Sequence, residues 1–412
     1  MSTQNPLQMN LFADVLHAYT AEREGRLDNA TLYREVAQRT GIPLEAFEEK
    51  TPVGEKGQLH SLLARKIRWY QQTLKAAGIL EGVPNERGWW QLTGKASKGL
   101  SEINRGVSLV GFSTNLGVAI LGHCDHVFTA IDSPITLVVT SPPYPLAHQR
   151  SYGNVHLSEY IGWLCKTIAP VVKNLVPGGS ICLNVSQDRF LAGSPARSTY
   201  LERLVISLED ELGLSLMDRL IWSNPSKAPG PVRYASIDRT QLNVGYEPVL
   251  WFTNDPFKVK SNNRRVLMEH TDRHLKLIQQ GGEQRQVSNS DGAYTLRQGS
   301  FGKPTEGKIP RNVLTFGHAC KDQQAYKKAA REMGLKAHGA PMPLSLAKFL
   351  IEFLSDEGEM VVDIFGGSFT TAKAAEILGR RWLSTECMAE YVIGGSTRFT
   401  HCDGFTRHLL VA

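Results

Sequence analysis

An α/β fold on a mostly parallel sheet, preceded by a smaller α+β unit, is what this chain predicts, and three observations predict it. Short apolar runs such as Ile135-Thr136-Leu137-Val138-Val139 and Met360-Val361-Val362-Asp363-Ile364-Phe365 read as buried strands. Segments of helical period, 158–174, 200–212 and 343–354, lie between such runs, and strands separated by helices pair in parallel. Residues 1–105 have a different texture, with helices followed by a hairpin.

In that first unit, Leu32-Tyr33-Arg34-Glu35-Val36-Ala37 has helical character and stops at Gly41 and Pro43. A second helix is predicted from His60 to Ala77, where Leu59, Leu62, Leu63, Ile67, Tyr70 and Leu74 recur at i, i+3, i+4 intervals with Arg65, Lys66 and Arg68 between them. Gly78 closes it. Residues 79–83 and 89–93 then flank the turn Pro84-Asn85-Glu86-Arg87-Gly88 as a hairpin. This order resembles winged-helix DNA-binding modules, in which a basic helix enters a groove and the hairpin touches backbone. That resemblance implies DNA contacts for Arg65 and Arg68; a helical domain used for dimer contacts, with both arginines solvated, fits the same pattern. Residues 95–105 read as a linker helix.

Residues 115–254 alternate strands and helices: strands at 118–121, 135–139, 180–185, 216–222 and 249–252, with helices at 158–174 and 200–212. The pattern breaks at 255–310, which carries Lys258, Lys260, Arg264, Arg265, Arg273 and Lys276 and then a Gly/Ser/Gln/Asn-rich stretch. So long a segment without regular pattern is functional or disordered. Basic residues followed by flexible polar ones suit docking on nucleic acid, or a solvated insertion. Residues 311–412 resume the alternation with a helix at 343–354, a strand at 360–365, the turn Gly366-Gly367-Ser368, a helix at 370–378 and a strand at 381–385.

At 412 residues, 42% of them hydrophobic, the chain can bury a substantial core. The longest apolar runs fall well short of the ~20 residues of a membrane span, and Met1 to Asn10 lacks the pattern of a secretory leader, so no membrane partner and a cytoplasmic location are expected. A formal charge of +6 permits a phosphate-bearing partner without demanding one. The six cysteines are scattered without a C-x-x-C pair, which points to neither zinc nor a disulfide framework. His318 with Cys320 and His401 with Cys402 are isolated pairs, and no metal is expected.

Two constellations carry chemistry. Ser141-Pro142-Pro143-Tyr144 follows the strand 135–139. The prolines fix φ and remove two backbone donors, leaving carbonyl acceptors beside a hydroxyl and an aromatic face, a set that suits a flat base bearing an amino group. Asp363-Ile364-Phe365-Gly366-Gly367-Ser368 lies at a strand-to-helix junction, where glycines permit close approach of main-chain amides to a ligand. Glu386 ends the next strand, placed to accept from ribose hydroxyls of a nucleotide-like cofactor. Neither G-x-G-x-x-G nor G-x-x-x-x-G-K-[ST] occurs, which disfavours dinucleotides and triphosphates.

Together these motifs resemble the S-adenosylmethionine-dependent DNA amino-methyltransferases of the permuted β group, of the PvuII-type that modifies cytosine at N4. The resemblance covers about residues 115–400 and extends to Ser194-Pro195-Ala196-Arg197-Ser198, Trp222-Ser223-Asn224-Pro225-Ser226-Lys227, Ile309-Pro310-Arg311-Asn312 and Lys336-Ala337-His338. The chain departs from the family at Phe369, where Gly or Asn is common, and in its extra N-terminal residues. The resemblance implies a circularly permuted, Rossmann-like class I methyltransferase sheet, with S-adenosyl-L-methionine as cofactor. Phe365, Gly366 and Gly367 would approach the adenosine and methionine, Asp363 and Ser368 would order the methionine end, and Glu386 would hold the ribose. His338 and Pro341 would close over the methionine moiety. Ser141, Pro142, Pro143 and Tyr144 would be catalytic on a cytosine flipped from duplex DNA, and Lys227, Arg264, Arg265 and Asn312 would face the DNA. A cognate restriction endonuclease is an expected partner. Methylation at cytosine C5 requires a cysteine nucleophile, in that family within a Pro-Cys pair, and none occurs here. Adenine-N6 transfer is the nearest alternative, which Ser141 disfavours because adenine enzymes more often carry Asp or Asn there. A non-catalytic winged-helix regulator and an RNA or protein amino-methyltransferase complete the alternatives.

Overall fold

The computed structural model describes residues 11–53, 58–94, 100–145, 155–317 and 320–408, so His318 lies outside the described residues. The N-terminal unit runs α1 (Phe12–Ala21), β1 (Arg26–Asp28), α2 (Asn29–Thr40), the antiparallel pair β2 (Thr51–Val53) and β3 (Gln58–His60), α3 (Leu62–Ala76), β4 (Leu80–Gly82) and β5 (Trp89–Leu92). Asp28 caps α2 by accepting from Thr31 N at 2.9 Å, and Ser61 caps α3 by accepting from Ala64 N at 3.2 Å. α3 buries Leu63, Ile67, Tyr70 and Leu74, which leaves Arg65, Arg68, Gln72 and Lys75 exposed on the opposite stripe. Strands β1, β5 and β4 form a small antiparallel sheet in that order.

The linker departs from expectation. Residues 95–99 lie outside the described set, and 100–105 are not helical. Glu102 instead bridges Met388, Ile103 N donates to Cys387 O at 2.9 Å, and Ala389 N donates to Ser101 O at 3.0 Å. The Glu390 carboxylate is buried and accepts from both Ser101 N and Ser101 Oγ at 2.7 Å. A buried carboxylate needs such donors, and an extended linker supplies them where a helix would have spent its own amide.

The large unit follows with β6 (Ser108–Ser113), β7 (Gly117–Gly122), α4 (Cys124–Val127), β8 (Ile135–Thr140), α5 (Leu157–Lys173), β9 (Leu175–Asn184), α6 (Tyr200–Leu212), β10 (Ser215–Ser223) and β11 (Tyr246–Thr253). Then come α7 (Asp272–Gln279), β12 (Val287–Asn289), β13 (Tyr294–Leu296), β14 (Val313–Thr315), α8 (Lys321–Glu332), α9 (Leu344–Leu354), β15 (Met360–Asp363), α10 (Thr370–Ile377), β16 (Arg381–Glu386), α11 (Ala389–Ser396) and β17 (Thr406–Arg407). The stretch 255–310, which sequence pattern left without structure, thus carries α7 and the hairpin β12–β13. α7 spans only eight residues and lies on the surface with no buried residue, too short for its apolar face to stand out from the polar stretch around it.

Ten strands form one mixed sheet in the order β14-β10-β11-β9-β8-β15-β16-β7-β6-β17. β9, β8, β15, β16 and β7 are parallel, and β11 runs antiparallel between β9 and β10. Alternation along β8 divides the core: Leu137 and Val139 face the layer containing α9 and α10, whereas Ile135 and Val138 face that containing α5 and α6. β8 is buried at every position, as expected of a strand covered on both faces.

This topology positions the site. The carboxyl ends of parallel strands, where ligands of open α/β sheets bind, carry Thr140, Asn184, Asp363 and Glu386 at one sheet edge. Antiparallel β11 brings its first residues there, and Glu247 pairs in register with Trp222 near the end of β10.

Candidate active site

One cavity of about 520 Å³ opens at that edge, and both sequence constellations line it. Ser141, Pro142, Pro143 and Tyr144 form one end, and Asp363, Phe365, Gly366, Gly367, Ser368 and Glu386 the other. Segments separated by more than half of the chain meet because β8 and β15 are parallel neighbours.

The glycine turn is held without slack. A Cβ on Gly366 would lie 2.5 Å from Ser384 Oγ and 3.1 Å from Thr385 O, while Gly367 has φ +50 with His338 Nε2 3.2 Å from where a Cβ would be. Glu386 Oε2 accepts from Gly367 N at 2.8 Å and its Oε1 from Met388 N at 2.8 Å. Burial pushes the Glu386 carboxyl up to about 7, against the pull of those amides. Asp363 accepts from Thr140 Oγ1 at 2.7 Å and Phe365 N at 3.1 Å, and burial raises it to about 6. Its contacts brace the loop, tying β8 to β15. Phe365 lies against Trp163, ring centroids 5.6 Å apart.

Phe369 takes a left-handed conformation, φ +61, at the start of α10, and its buried ring packs 5.1 Å from Phe112. A Cβ on Gly395 would lie 2.4 Å from that ring. A left-handed backbone is what Gly or Asn adopts readily; this chain offsets the strain of a bulky residue by burying its ring in an aromatic cluster. Below the turn, Arg398 Nη1 donates to Ser368 O at 2.6 Å and Thr370 Oγ1 at 2.9 Å, and its Nη2 pairs with Asp322. His338, Pro341 and Met342 complete this end of the cavity.

The other end is a side-chain network. Tyr144 OH lies 3.1 Å from Ser141 Oγ, donates to Glu247 Oε2 at 3.1 Å and accepts from Asn184 Nδ2 at 3.2 Å. Lys227 Nζ pairs with Glu247 Oε1 at 3.0 Å. Burial, reinforced by the Glu247 charge, holds the Tyr144 phenol well above its ordinary pKa. Among the cavity-lining residues that sequence pattern missed are Asn184, the last residue of β9, and Glu247, near the start of β11; a polar residue at the terminus of a buried strand was the available signal for both.

The remaining predicted contacts are scattered. Arg65 and Arg68 lie exposed on α3 and Arg264 is exposed on the surface. Lys227 lies in the cavity rather than outside it. Arg265 pairs with Asp356 at 2.6 Å and donates to the carbonyls of Lys260, Phe353 and Ser355, so its guanidinium pins a loop to the end of α9. Asn312 donates to both Asp218 carboxylate oxygens at 3.3 Å. Glu102, His123 and Cys387 lie near one another; His123 Nε2 sits 2.8 Å from Ile103 O, and burial holds the Cys387 thiol well above its ordinary pKa.

Residues 135–394 match the DNA methylase family of N6/N4 methyltransferases, and residues 9–102 match the Mrr N-terminal domain. The chain is 35% identical to the type II methyltransferase M.PvuII of Proteus hauseri over 65% of this chain and 79% of that one. It is 24% identical to the DNA adenine methyltransferase YhdJ of Escherichia coli over 64% of this chain and 76% of that one. The solved PvuII DNA methyltransferase (cytosine-N4-specific) superposes with a TM-score of 0.55 at 30% identity, covering 72% of this chain and 90% of that structure. Among the described residues no helix is long and apolar enough to cross a membrane. Motif, cavity and likeness agree, and the chain belongs to the N6/N4 DNA methylase family as a DNA methyltransferase dependent on S-adenosylmethionine.

Proposed function

We infer that this methyltransferase modifies the exocyclic N4 amine of cytosine within a specific duplex sequence, and that Ser141 at the head of the Pro-Pro-Tyr mouth, facing the glycine turn across one cavity, carries that reading. The likeness to M.PvuII supports it. Transfer to adenine N6 is the second reading, favoured by the likeness to YhdJ. Digestion of DNA from expressing cells to nucleosides, with mass identification of the modified base, separates them: N4-methylcytosine is expected, and N6-methyladenine alone would overturn the assignment.

The residues fit the cofactor. Gly366 and Gly367 line the cavity in a turn packed too tightly against Ser384 and Thr385 to admit a Cβ on Gly366, Glu386 lines the cavity beside them, and about 520 Å³ accommodates both a nucleoside-sized cofactor and a base. When bound, S-adenosylmethionine supplies a methyl group on a sulfonium sulfur. Ser141 Oγ and the Pro142 carbonyl accept the two amine hydrogens of a flipped base, and the Tyr144 ring offers a stacking face. The amine lone pair is otherwise delocalised into the ring; accepting both hydrogens favours a pyramidal nitrogen. Catalysis is then positioning and electrostatics, with no covalent enzyme intermediate.

The sheet supports a circular permutation, because the cofactor strands β15 and β16 follow the catalytic strand β8 in the chain yet lie beside it in the sheet. The order α1-β1-α2-β2-β3-α3-β4-β5, with β1, β5 and β4 paired, supports a winged helix, in which α3 presents Arg65 and Arg68 to DNA. Arg264 and the surface-lying 255–310 region supply target contacts. A cognate restriction endonuclease, and a place of action in the cytoplasm with the host DNA, complete the proposal.

A further inference from the structure

The network at the base end has a direction. Tyr144 OH carries one proton, and Glu247, a carboxylate, can only accept, so that proton points at Glu247. Asn184 Nδ2 can only donate and fills one lone pair of the phenol oxygen. What remains for Ser141 is to donate its own proton to Tyr144 across 3.1 Å, which leaves Ser141 Oγ an acceptor toward the cavity. Reversing Asn184 would set its carbonyl against Glu247, 3.5 Å from the nitrogen now there, so the amide orientation is dictated too.

We propose that Glu247 is a positioning residue that acts through Tyr144: it orients the Ser141 hydroxyl to accept from the target amine and takes up the proton which that amine sheds. In the step, the amine nitrogen forms its N–CH3 bond as the S–CH3 bond breaks with its electron pair left on sulfur, and nitrogen becomes cationic. Its excess proton passes to Ser141 Oγ, the Ser141 hydroxyl proton to the Tyr144 oxygen, and the Tyr144 proton to Glu247 Oε2. Glu247 becomes a neutral acid and later yields its proton to water, for its side chain is 20% exposed. Lys227 Nζ lies 3.0 Å from Glu247 Oε1, on the side of the carboxylate away from Tyr144. The Tyr144 phenol, raised by burial, remains a phenol and so keeps a proton to relay.

The titratable groups facing Glu247 are Lys227 from the loop after β10, Tyr144 from the loop after β8 and Tyr200 from α6.

The inference rests on the amine-transfer reading and is tested on the full chain with unmethylated genomic DNA, which holds the target whatever its sequence. Single-turnover transfer is followed at saturating cofactor. Glu247→Gln should lower the rate by about 100-fold, the scale of general acid–base assistance, while cofactor and DNA affinities change less than about twofold. Glu247→Asp, which keeps a carboxylate, should restore part of the rate. An unchanged rate in Glu247→Gln overturns the proposal, as does a loss of cofactor or DNA affinity as large as the loss of rate. The product base, read from the wild-type reaction, judges the cytosine reading separately, since either amine sheds a proton.

Discussion

The ends of the cavity proposed for the cofactor and for the base are built from different material. At the proposed cofactor end the Gly366-Gly367 turn presents main chain, with Gly367 N held by Glu386 and Ser384 packed behind Gly366. At the base end it is side chain, with Ser141, Tyr144, Asn184, Lys227 and Glu247 contributed by β8, β9, β10, β11 or the loops after them and joined by contacts of 3.0 to 3.5 Å. A main-chain surface has fixed donors and no room, so it tolerates no added atom. A side-chain surface can be repolarised one residue at a time, which is what choosing among base amines requires.

The strongest way to break this contrast is to put an atom where the backbone allows none. Gly366→Ala would drive a Cβ to 2.5 Å from Ser384 Oγ and 3.1 Å from the Thr385 carbonyl. Overpacking of this kind costs about 1–3 kcal/mol, and here it moves the amides themselves. Cofactor affinity by calorimetry should fall more than about 100-fold; retained affinity would mean the turn shifts freely and is no cradle. Ser141→Ala should do the opposite, lowering single-turnover transfer by about 100-fold, comparable to removal of one catalytic hydrogen-bonding group, while cofactor affinity stays intact. Equal loss of both would erase the division between the ends.

The contrast also explains what could be read from sequence. A main-chain turn is contiguous: Asp363 through Ser368 sit on one strand-turn-helix, with a glycine where a Cβ cannot fit, so this stretch was visible as a motif, whereas Met342, which lines the same cavity from another segment, was not. Thr140, buried and bonded to Asp363, fell within the strand pattern beside it. Ser141 to Tyr144 were visible for the same reason of contiguity. Asn184 and Glu247 were not, since each is a single polar residue on its own strand, meaningful only when β9 and β11 pair across Val249 and Asn184. Strands β7 to β11, β15 and β16 and helices α5, α6, α9 and α10 were legible because buried runs and amphipathic periods are local, whereas the edge strands β6, β14 and β17 were not expected. The 100–105 linker was misread because its extended form is imposed by Glu390 and the Cys387–Ala389 backbone, which are remote in sequence.

Glu386 sharpens the comparison through pH. Its carboxyl lies at about 7 in the folded chain against an ordinary 4.5, and Asp363 at about 6 against 3.8. Both are raised, so the native state holds more protons than the unfolded one between these values, and stability falls as pH rises through that window before levelling. The cofactor-free protein should melt several degrees lower at pH 8 than at pH 5, and Glu386→Gln should show a smaller drop. Cofactor affinity should move the other way, rising with pH as Glu386 ionises to accept from hydroxyl donors. Glu386→Gln should weaken binding about 10- to 100-fold, the worth of a charge-assisted hydrogen bond, and flatten that rise. An unaltered pH profile in the variant would take the ribose role away from Glu386.

The smallest expected effect lies farthest from the cavity. α3 turns Arg65 and Arg68 outward along one exposed stripe with Gln72 and Lys75, and the linker that follows docks on the segment carrying Glu386. If this stripe meets phosphates, each arginine contributes a largely sequence-independent term that salt screens. The double variant Arg65→Ala, Arg68→Ala should therefore weaken duplex binding by roughly tenfold at low salt and make the slope of log affinity against log salt shallower by about 1.8, which is two phosphate contacts. Discrimination between methylatable and other sequences should survive, because phosphate contacts position the protein whereas base contacts specify. A slope equal to that of wild type would place α3 away from DNA and leave the groove contacts to Arg264 and the 255–310 region.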